Sequence, residues 1–327
     1  MSHKFQSSQD WNKIIARNLW WENKVLRILK KLDTSKEDIT LFAYSYAALN
    51  LFKYAKKRGW KTVLGQIDPG IVEEKLVAQE SIKYPQYQSG FSNQPFGYWQ
   101  DWRKECALAD QIIVNSDWSG QALEQIGIEH TKIEVAPLAY QMPKGFNQFR
   151  KKYPPRFNAS RPLRVLFLGQ VILRKGIAAL LETIRLLENR PIEFWFVGKV
   201  AIKLPRELRK HPQIKWLGTV SRHTTSQYYQ QADVFLFPTL SDGFGLTQLE
   251  AQACHLPIIA SQFCGSVVKD RINGLILPSV TAEAIADTLI FCLKNPHKLA
   301  LFSQASIRQL DNFSLPKLSD RLSLLNS

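Results

Sequence analysis

From Arg164 onward, short apolar runs alternate with amphipathic stretches, and this alternation narrows the fold more than any other feature of the chain. Arg164-Val165-Leu166-Phe167-Leu168 reads as a buried strand. Ile177, Leu180, Leu181, Ile184 and Leu187 follow at helical spacing. Ile192 to Val197, Ile214 to Leu217, Asp233 to Phe237, Pro257 to Ala260 and Leu275 to Leu277 are the later strands. A polar helix falls around Ser226 to Gln231, and Thr281 caps a helix running to about Lys294. Strands separated by helices of this length predict a doubly wound parallel sheet.

The connection after Val234-Phe235-Leu236-Phe237 carries the strongest chemical signal. It reads Ser241-Asp242-Gly243-Phe244-Gly245-Leu246-Thr247-Gln248-Leu249-Glu250. A strand ends, the backbone turns on two glycines, and a helix begins with amides free to meet a phosphate. Asp242 sits in the turn and Glu250 is expected about two helical turns further on. Ionised carboxylates so placed suit the two ends of a long, hydroxyl-rich ligand. Alone, Asp-Gly-Phe-Gly reads equally as an ordinary turn with a solvated acid.

A second motif joins the first strand of this half to its first helix: Gly169-Gln170-Val171-Ile172-Leu173-Arg174-Lys175-Gly176. Lys meets a diphosphate as a point charge, and Arg can meet it with two parallel hydrogen bonds. Two surface cations at a helix start are the plain alternative, and a helix N-terminus disfavours cations. Gly218-Thr219-Val220-Ser221 forms a third cluster after a later strand.

Together these segments resemble the retaining glycosyltransferases of family 4 (group 1), from about Asp101 to the C-terminus and more weakly from Ile39. The resemblance implies the GT-B fold, with two Rossmann-like domains facing a central cleft and the N-terminal domain shortened. It implies that Glu250 holds the ribose of a nucleoside diphosphate sugar. Asp242 and the turn Gly243, Phe244, Gly245, Leu246 and Thr247 would hold the transferred sugar and the diphosphate. Lys175 matches the family's diphosphate lysine, whereas Gln170 stands where an arginine is usual, so Arg174 would supply the second cation. Gly169, Thr219 and Val220 would border the donor. Family members mostly carry Glu at the position of Asp242. The resemblance further implies retention at the anomeric carbon, no metal and no cofactor beyond the sugar-nucleotide substrate.

The N-terminal half is less regular. Ile39 to Ala43 and Thr62 to Gln66 read as strands around a helix from Leu49 to Arg58. Gln111 to Asn115 and Lys132 to Ala136 are further strands. Relatives often place a His near the reacting sugar where this chain has Gly65-Gln66-Ile67-Asp68-Pro69-Gly70. Gln66 and Asp68 are therefore the acceptor-side candidates, against a plain Asp-Pro-Gly turn. No Gly-rich loop precedes the first strand, which is read as a shortened acceptor domain or a start further upstream.

The expected domains are residues 1–140 on the acceptor side, a linker at 141–162, a donor-binding domain at 163–310, and a C-terminal helix at 311–327 crossing back to the first domain. The stretch from Leu138 to Pro162 holds four prolines and six Lys or Arg with no acid, and reads as a solvated hinge.

Composition excludes several classes. No run of about 18 apolar residues is present, so no transmembrane helix is expected. The first residues lack the apolar core of a signal peptide, and a cytoplasmic protein is expected. Cys106, Cys254, Cys264 and Cys292 are scattered and read as buried thiols, and the six histidines lack ligand spacing. Of the net charge of +15, residues 1–140 carry +2 and the remainder +13. That excess favours an anionic ligand, and no nucleic-acid-binding signature accompanies it. The helix from Asn18 to Lys31 is basic and carries Trp20 and Trp21. Packing on the N-terminal domain is the expected use of these rings. The alternative is peripheral contact with an anionic membrane face.

The expected partners are a nucleotide-sugar donor and an acceptor that is a sugar, a lipid-linked sugar or a glycan. The expected activity is metal-independent glycosyl transfer in polysaccharide, glycolipid or glycoconjugate synthesis. The competing readings are a nucleotide-sugar-binding protein without catalysis, or a truncated inactive homologue.

Overall fold

A computed structural model of the chain describes residues 11–32, 38–87, 94–142 and 149–323. It divides into two compact units, Met1–Val72 with Ser89–Ala136, and Glu73–Gln88 with Pro137–Ser327.

The first unit runs α1 (Trp11–Leu29), β1 (Thr40–Tyr44), α2 (Leu49–Lys57), β2 (Lys61–Gln66), the start of α3 (Ile71–Lys83), α4 (Tyr98–Leu108), β3 (Gln111–Val114), α5 (Asp117–Gln125) and β4 (Ile133–Val135). Its four parallel strands lie in the order β1-β2-β3-β4. Right-handed crossovers that all advance in one direction put their helices on one face. The core follows that rule: Ala43, Leu64, Ile112 and Val114 from one face of the sheet pack with Phe52 of α2, Trp102 and Cys106 of α4 and Leu123 of α5. On the opposite face Phe42 and Tyr44 of edge strand β1 are exposed, their rings lying against Gly65.

Helix α1 turns Val25, Leu26 and Leu29 toward this core, together with two polar side chains. Glu22 accepts from the Asn50 amide at 3.2 Å and its side-chain nitrogen at 2.6 Å, and Asn18 donates to the Tyr46 carbonyl at 3.1 Å. Glu105 of α4 accepts from the backbone amides of Tyr46, Ala48 and Leu49 at 2.7, 3.0 and 3.1 Å. Two carboxylates thus meet amides that the first turn of α2 leaves without helical partners. Helix α1 thus packs on this domain as expected, but through Val25, Leu26 and Leu29 rather than its tryptophans: Trp20 and Trp21 lie on the outside.

The second unit contains the rest of α3, then β5 (Leu163–Leu168), α6 (Ile177–Leu186), β6 (Ile192–Val197), α7 (Arg206–Arg209), β7 (Ile214–Gly218), α8 (Thr225–Gln231), β8 (Val234–Phe237), α9 (Thr247–Ala253), β9 (Ile258–Ala260), β10 (Gly274–Ile276), α10 (Ala282–Lys294), α11 (Pro296–Leu310) and α12 (Leu315–Ser323). Its six parallel strands lie in the order β10-β9-β8-β5-β6-β7. The chain winds outward from β5 through β6 to β7, then restarts on the other side of β5 with β8. That reversal makes the sheet doubly wound, with a switch point between β5 and β8. Two cores result, one around Leu180, Ile184 and Phe194 and one around Phe235, Leu249 and Ile258.

Two features depart from the sequence reading. Residues 73–88 group with the second unit although they fall inside the expected first domain. Within them Tyr87 is buried and its hydroxyl donates to Glu182 of α6 at 3.0 Å. The solvated hinge also fails for residues 149–162. Phe157 is buried in the core, Tyr153 donates to the Asp233 carbonyl at 2.9 Å, and Arg161 forms a two-point pair with Asp233 at 2.7 Å. Lys151 donates to the carbonyls of Tyr229, Gln230 and Ala232 at 3.0, 2.8 and 2.5 Å, closing the C-terminal end of α8. Composition marks such a run as solvated, but long cationic stems bury readily when a helix terminus supplies acceptors. Pro143 and Lys144 of the same run lie outside the described residues, as do residues 324–327 of the expected C-terminal helix.

Candidate functional site

The two sequence motifs of the second unit meet at its switch point, where open parallel sheets present ligand-binding loops. After β5 the chain passes Gly169 and Gln170, makes a short 3-10 turn over Leu173–Lys175, and enters α6 through Gly176 at φ 69°. After β8 it makes the turn that holds Asp242. The two loops are joined by backbone: Leu240 donates to the Arg174 carbonyl at 2.8 Å, and the Thr239 hydroxyl to the same oxygen at 3.1 Å. A Cβ on Gly176 would land on the Pro238 carbonyl, so the glycine before α6 permits this close approach.

The side chains converge as well. Asp242 pairs with Lys175, and its Oδ2 lies 3.4 Å from Arg174 Nη1. Arg174 donates to the Ser241 carbonyl at 3.0 Å and lies 3.5 Å from Glu73 of α3. The Lys175 ammonium stands 4.7 Å from the centre of the Phe237 ring, the last residue of β8. Burial disfavours the Asp242 carboxylate, but the charges of Lys175 and Arg174 outweigh it and hold its pKa below the ordinary range. Burial dominates at Lys175 and lowers its pKa despite the Asp242 partner. The opposite outcomes reflect one balance: the acid has two cations beside it, and the lysine shares its acid with Arg174.

The acid motif departs from expectation in two respects. Helix α9 begins only at Thr247, so Glu250 lies in its first turn rather than two turns in. The Phe244 amide is engaged by Asp242 Oδ1 at 3.2 Å, and its ring is buried 5.8 Å from that of Phe313. Phe244 is therefore a packing residue, and Leu246 is exposed beside it. Gly245 takes φ 83°, and a Cβ there would press on the Phe237 ring. Gly243 and Thr247 complete the turn into α9.

Glu250 has a partner that the sequence reading missed. The Tyr229 hydroxyl of α8 donates to Glu250 Oε2 at 2.9 Å. Burial, followed by the charge of Glu250, raises the Tyr229 pKa well above normal, so the phenol stays a donor. Tyr140 is also close: burial and then Glu250 push it up to about 12. Lys151, which closes the end of α8, is itself lowered to about 8 by burial.

The remaining candidates are more dispersed. Gly169 and exposed Gln170 follow β5, while Thr219 and half-buried Val220 follow β7 at the end of the sheet. Gln66 and Asp68 lie in the first unit, where they build a turn. Gln66 is buried; it donates to the Asp68 carbonyl at 2.9 Å and to Oδ1 at 3.0 Å, and accepts from Trp102 at 2.9 Å. Asp68 Oδ1 also accepts from Tyr46 at 2.6 Å and from the Gly70 amide at 2.9 Å. These bonds make Gln66 and Asp68 Oδ1 parts of the turn's own framework. Among the described residues no group of His, Cys, Asp and Glu is arranged to hold a metal ion, and no helix is long and apolar enough to cross a membrane.

Residues 162–295 match the family model described as glycosyl transferases group 1. The chain is similar to a D-inositol 3-phosphate glycosyltransferase of Rhodococcus erythropolis, 27% identical over 66% of this chain and 53% of that protein. It therefore spans about half the length of that relative. An uncharacterized 41.2 kDa protein in the cps region of Klebsiella pneumoniae is 23% identical over 67% of this chain and 65% of its own. Among solved structures, sucrose-phosphate synthase of Thermosynechococcus elongatus superposes with a TM-score of 0.72 at 17% identity, covering 100% of this chain and 84% of that one. HepE of Anabaena, solved with UDP, gives 0.65 at 16% identity over 93% and 81%. The fold is thus α/β of the GT-B type, with two Rossmann-like units.

Proposed function

We propose that the protein is a retaining glycosyltransferase. It moves a sugar from a nucleoside diphosphate sugar to an acceptor hydroxyl on a sugar, lipid-linked sugar or glycan. The observation that carries this reading is the meeting of Arg174 and Lys175 with Asp242 at the switch point. Two cations on a Gly-bordered loop suit a diphosphate, and an acid in the facing turn suits sugar hydroxyls. Glu250, held by Tyr229, takes the ribose. The UDP and UDP-glucose complexes of HepE make UDP-sugars the first donors to try.

In the proposed reaction the bond between the anomeric carbon and the diphosphate oxygen breaks, and its electron pair goes to that oxygen. Lys175 and Arg174 offset the growing charge, in the role a metal ion fills in other transferases. The acceptor oxygen attacks from the same face, and its proton passes to the departing phosphate oxygen. Asp242 orients the sugar through its hydroxyls.

Thermal stabilisation by UDP-, GDP- and ADP-sugars tests the donor site, with Glu250→Ala as control. A shift with one donor that disappears in the variant supports the assignment, and release of nucleoside diphosphate on adding acceptor establishes transfer. No shift with any donor would refute the donor site. Binding with neither transfer nor donor hydrolysis would leave a nucleotide-sugar-binding protein.

A further inference from the structure

Helix α1 is built opposite to an ordinary surface helix. Its only acid, Glu22, is buried, and Asn18 faces the same way. Its outer side carries Trp20, Trp21 and Ile28 at 58%, 56% and 61% exposure. Arg17, Trp20, Lys24 and Arg27 follow one another at intervals of three and four residues, so they form one stripe, and exposed Lys31 follows in the turn just past the helix. Trp21 and Ile28 flank that stripe, and Leu32, 50% exposed, lies in the bend beyond the helix. Lys24 stands 5.5 Å from the centre of the Trp20 ring, so cation and aromatic share one patch.

Exposed tryptophans interleaved with cations on a face without acids have two matching needs. The indoles gain from a region between apolar and aqueous phases, and the cations gain from anionic groups at the same level. Ile28 and Leu32 sharpen the choice, because aliphatic side chains have no ring with which to stack on bases. We propose that the outer face of α1 docks on an anionic lipid bilayer surface. The helix lies in the interface plane, with Trp20, Trp21 and Ile28 at the level of the headgroups and upper acyl chains. Arg17, Lys24, Arg27 and Lys31 meet lipid phosphates. With 19 residues the helix presents a face about 28 Å long. The first unit would thereby be held at a membrane by contacts that involve none of the residues assigned to the donor.

Co-sedimentation of the full chain with vesicles tests this. We expect binding to vesicles of equal parts phosphatidylcholine and phosphatidylglycerol, weakening with salt, and little binding to phosphatidylcholine alone. Replacing Lys24, Arg27 and Lys31 together by Gln should lower the partition coefficient by roughly a hundredfold. Trp20→Ala with Trp21→Ala should lower it by about tenfold or more. These positions are exposed, and unchanged melting temperatures would confirm folding. Brominated lipids give a second readout, since quenching of tryptophan fluorescence should be largely lost in Trp20→Phe with Trp21→Phe. Equal binding to neutral and anionic vesicles, or full binding by either set of variants, would overturn the proposal. So would preferential binding to heparin or RNA that survives loss of both tryptophans, since that marks a general polyanion surface.

Discussion

Tyr229→Phe isolates one hydrogen bond in the proposed donor site. The ring is buried and packs edge-to-face on Phe235 with centroids 5.7 Å apart, and phenylalanine keeps that contact. What disappears is the hydroxyl that donates to Glu250 Oε2 at 2.9 Å. A hydrogen bond to a charged partner contributes about 1.5–3 kcal/mol. Glu250 is half-buried, and water can replace part of the loss, so about 1.5 kcal/mol is the expected cost to ligand binding. That corresponds to roughly a tenfold rise in Kd for UDP. Titration calorimetry of wild type, Tyr229→Phe, Glu250→Gln and the double variant gives a coupling energy for the pair. If Tyr229 acts by orienting Glu250 toward ribose, its removal also narrows the preference for UDP over 2′-deoxy-UDP. The reasoning fails if Tyr229→Phe binds UDP within twofold of wild type. It fails equally if the loss persists undiminished in the Glu250→Gln background.

Other expectations follow from the same structure. Lys175→Ala should lower turnover by about a hundredfold or more, and near-normal turnover in a donor assay would remove it from the reaction. Gly176→Ala should lower stability to urea by about 3 kcal/mol or more, because left-handed backbone and contact with the Pro238 carbonyl act together. Gly127→Ala, also at positive φ but in open space, should lose only about 1 kcal/mol, and equal losses would refute the close-approach explanation. Burial pushes the Glu105 carboxyl up to about 7 against the lowering effect of three backbone donors. A proton kept to about 7 in the fold but released near 4.5 when unfolded gives stability that is full below 4.5 and lost as pH rises through 7. Amide protection in α2 should therefore decline across that range by about 3 kcal/mol in wild type and much less in Glu105→Gln, and parallel profiles would contradict it.

The strands of the second unit were legible because each is a short apolar run bounded by turn residues, as Val234 to Phe237 illustrates. The meeting of Lys175 with Asp242 could be foreseen only through resemblance, since nothing local links positions 67 residues apart. Tyr229 was invisible for a related reason: it sits in a polar helix, and only the packing of α8 beside α9 brings it to Glu250. Glu73 reaches Arg174 from a helix that the sequence places in the other half. Lys151 and Phe157 were hidden by their basic, proline-rich surroundings. On α1, periodicity indicated an amphipathic helix but not which side faces inward. The amides at the start of α2 needed a carboxylate, so Glu22 went in and the tryptophans stayed out.

The quartet of Arg174, Lys175, Asp242 and Glu73 holds two positive and two negative groups, so the resting site is close to electroneutral. In the proposed donor site an arriving diphosphate would take part in an exchange, taking the place of a carboxylate that already occupies the cations. The attraction that brings it from a distance must come from the surrounding excess of lysine and arginine, while the local gain is a difference between two ion pairs. On that reading, displacing Asp242 would free its carboxylate to reach sugar hydroxyls only once phosphate has arrived. A sugar without its nucleotide would meet an acid still bound to lysine, and a nucleoside without phosphates would leave the quartet closed. If the proposed function holds, selectivity for the complete donor would reside in the order in which these charges change partners.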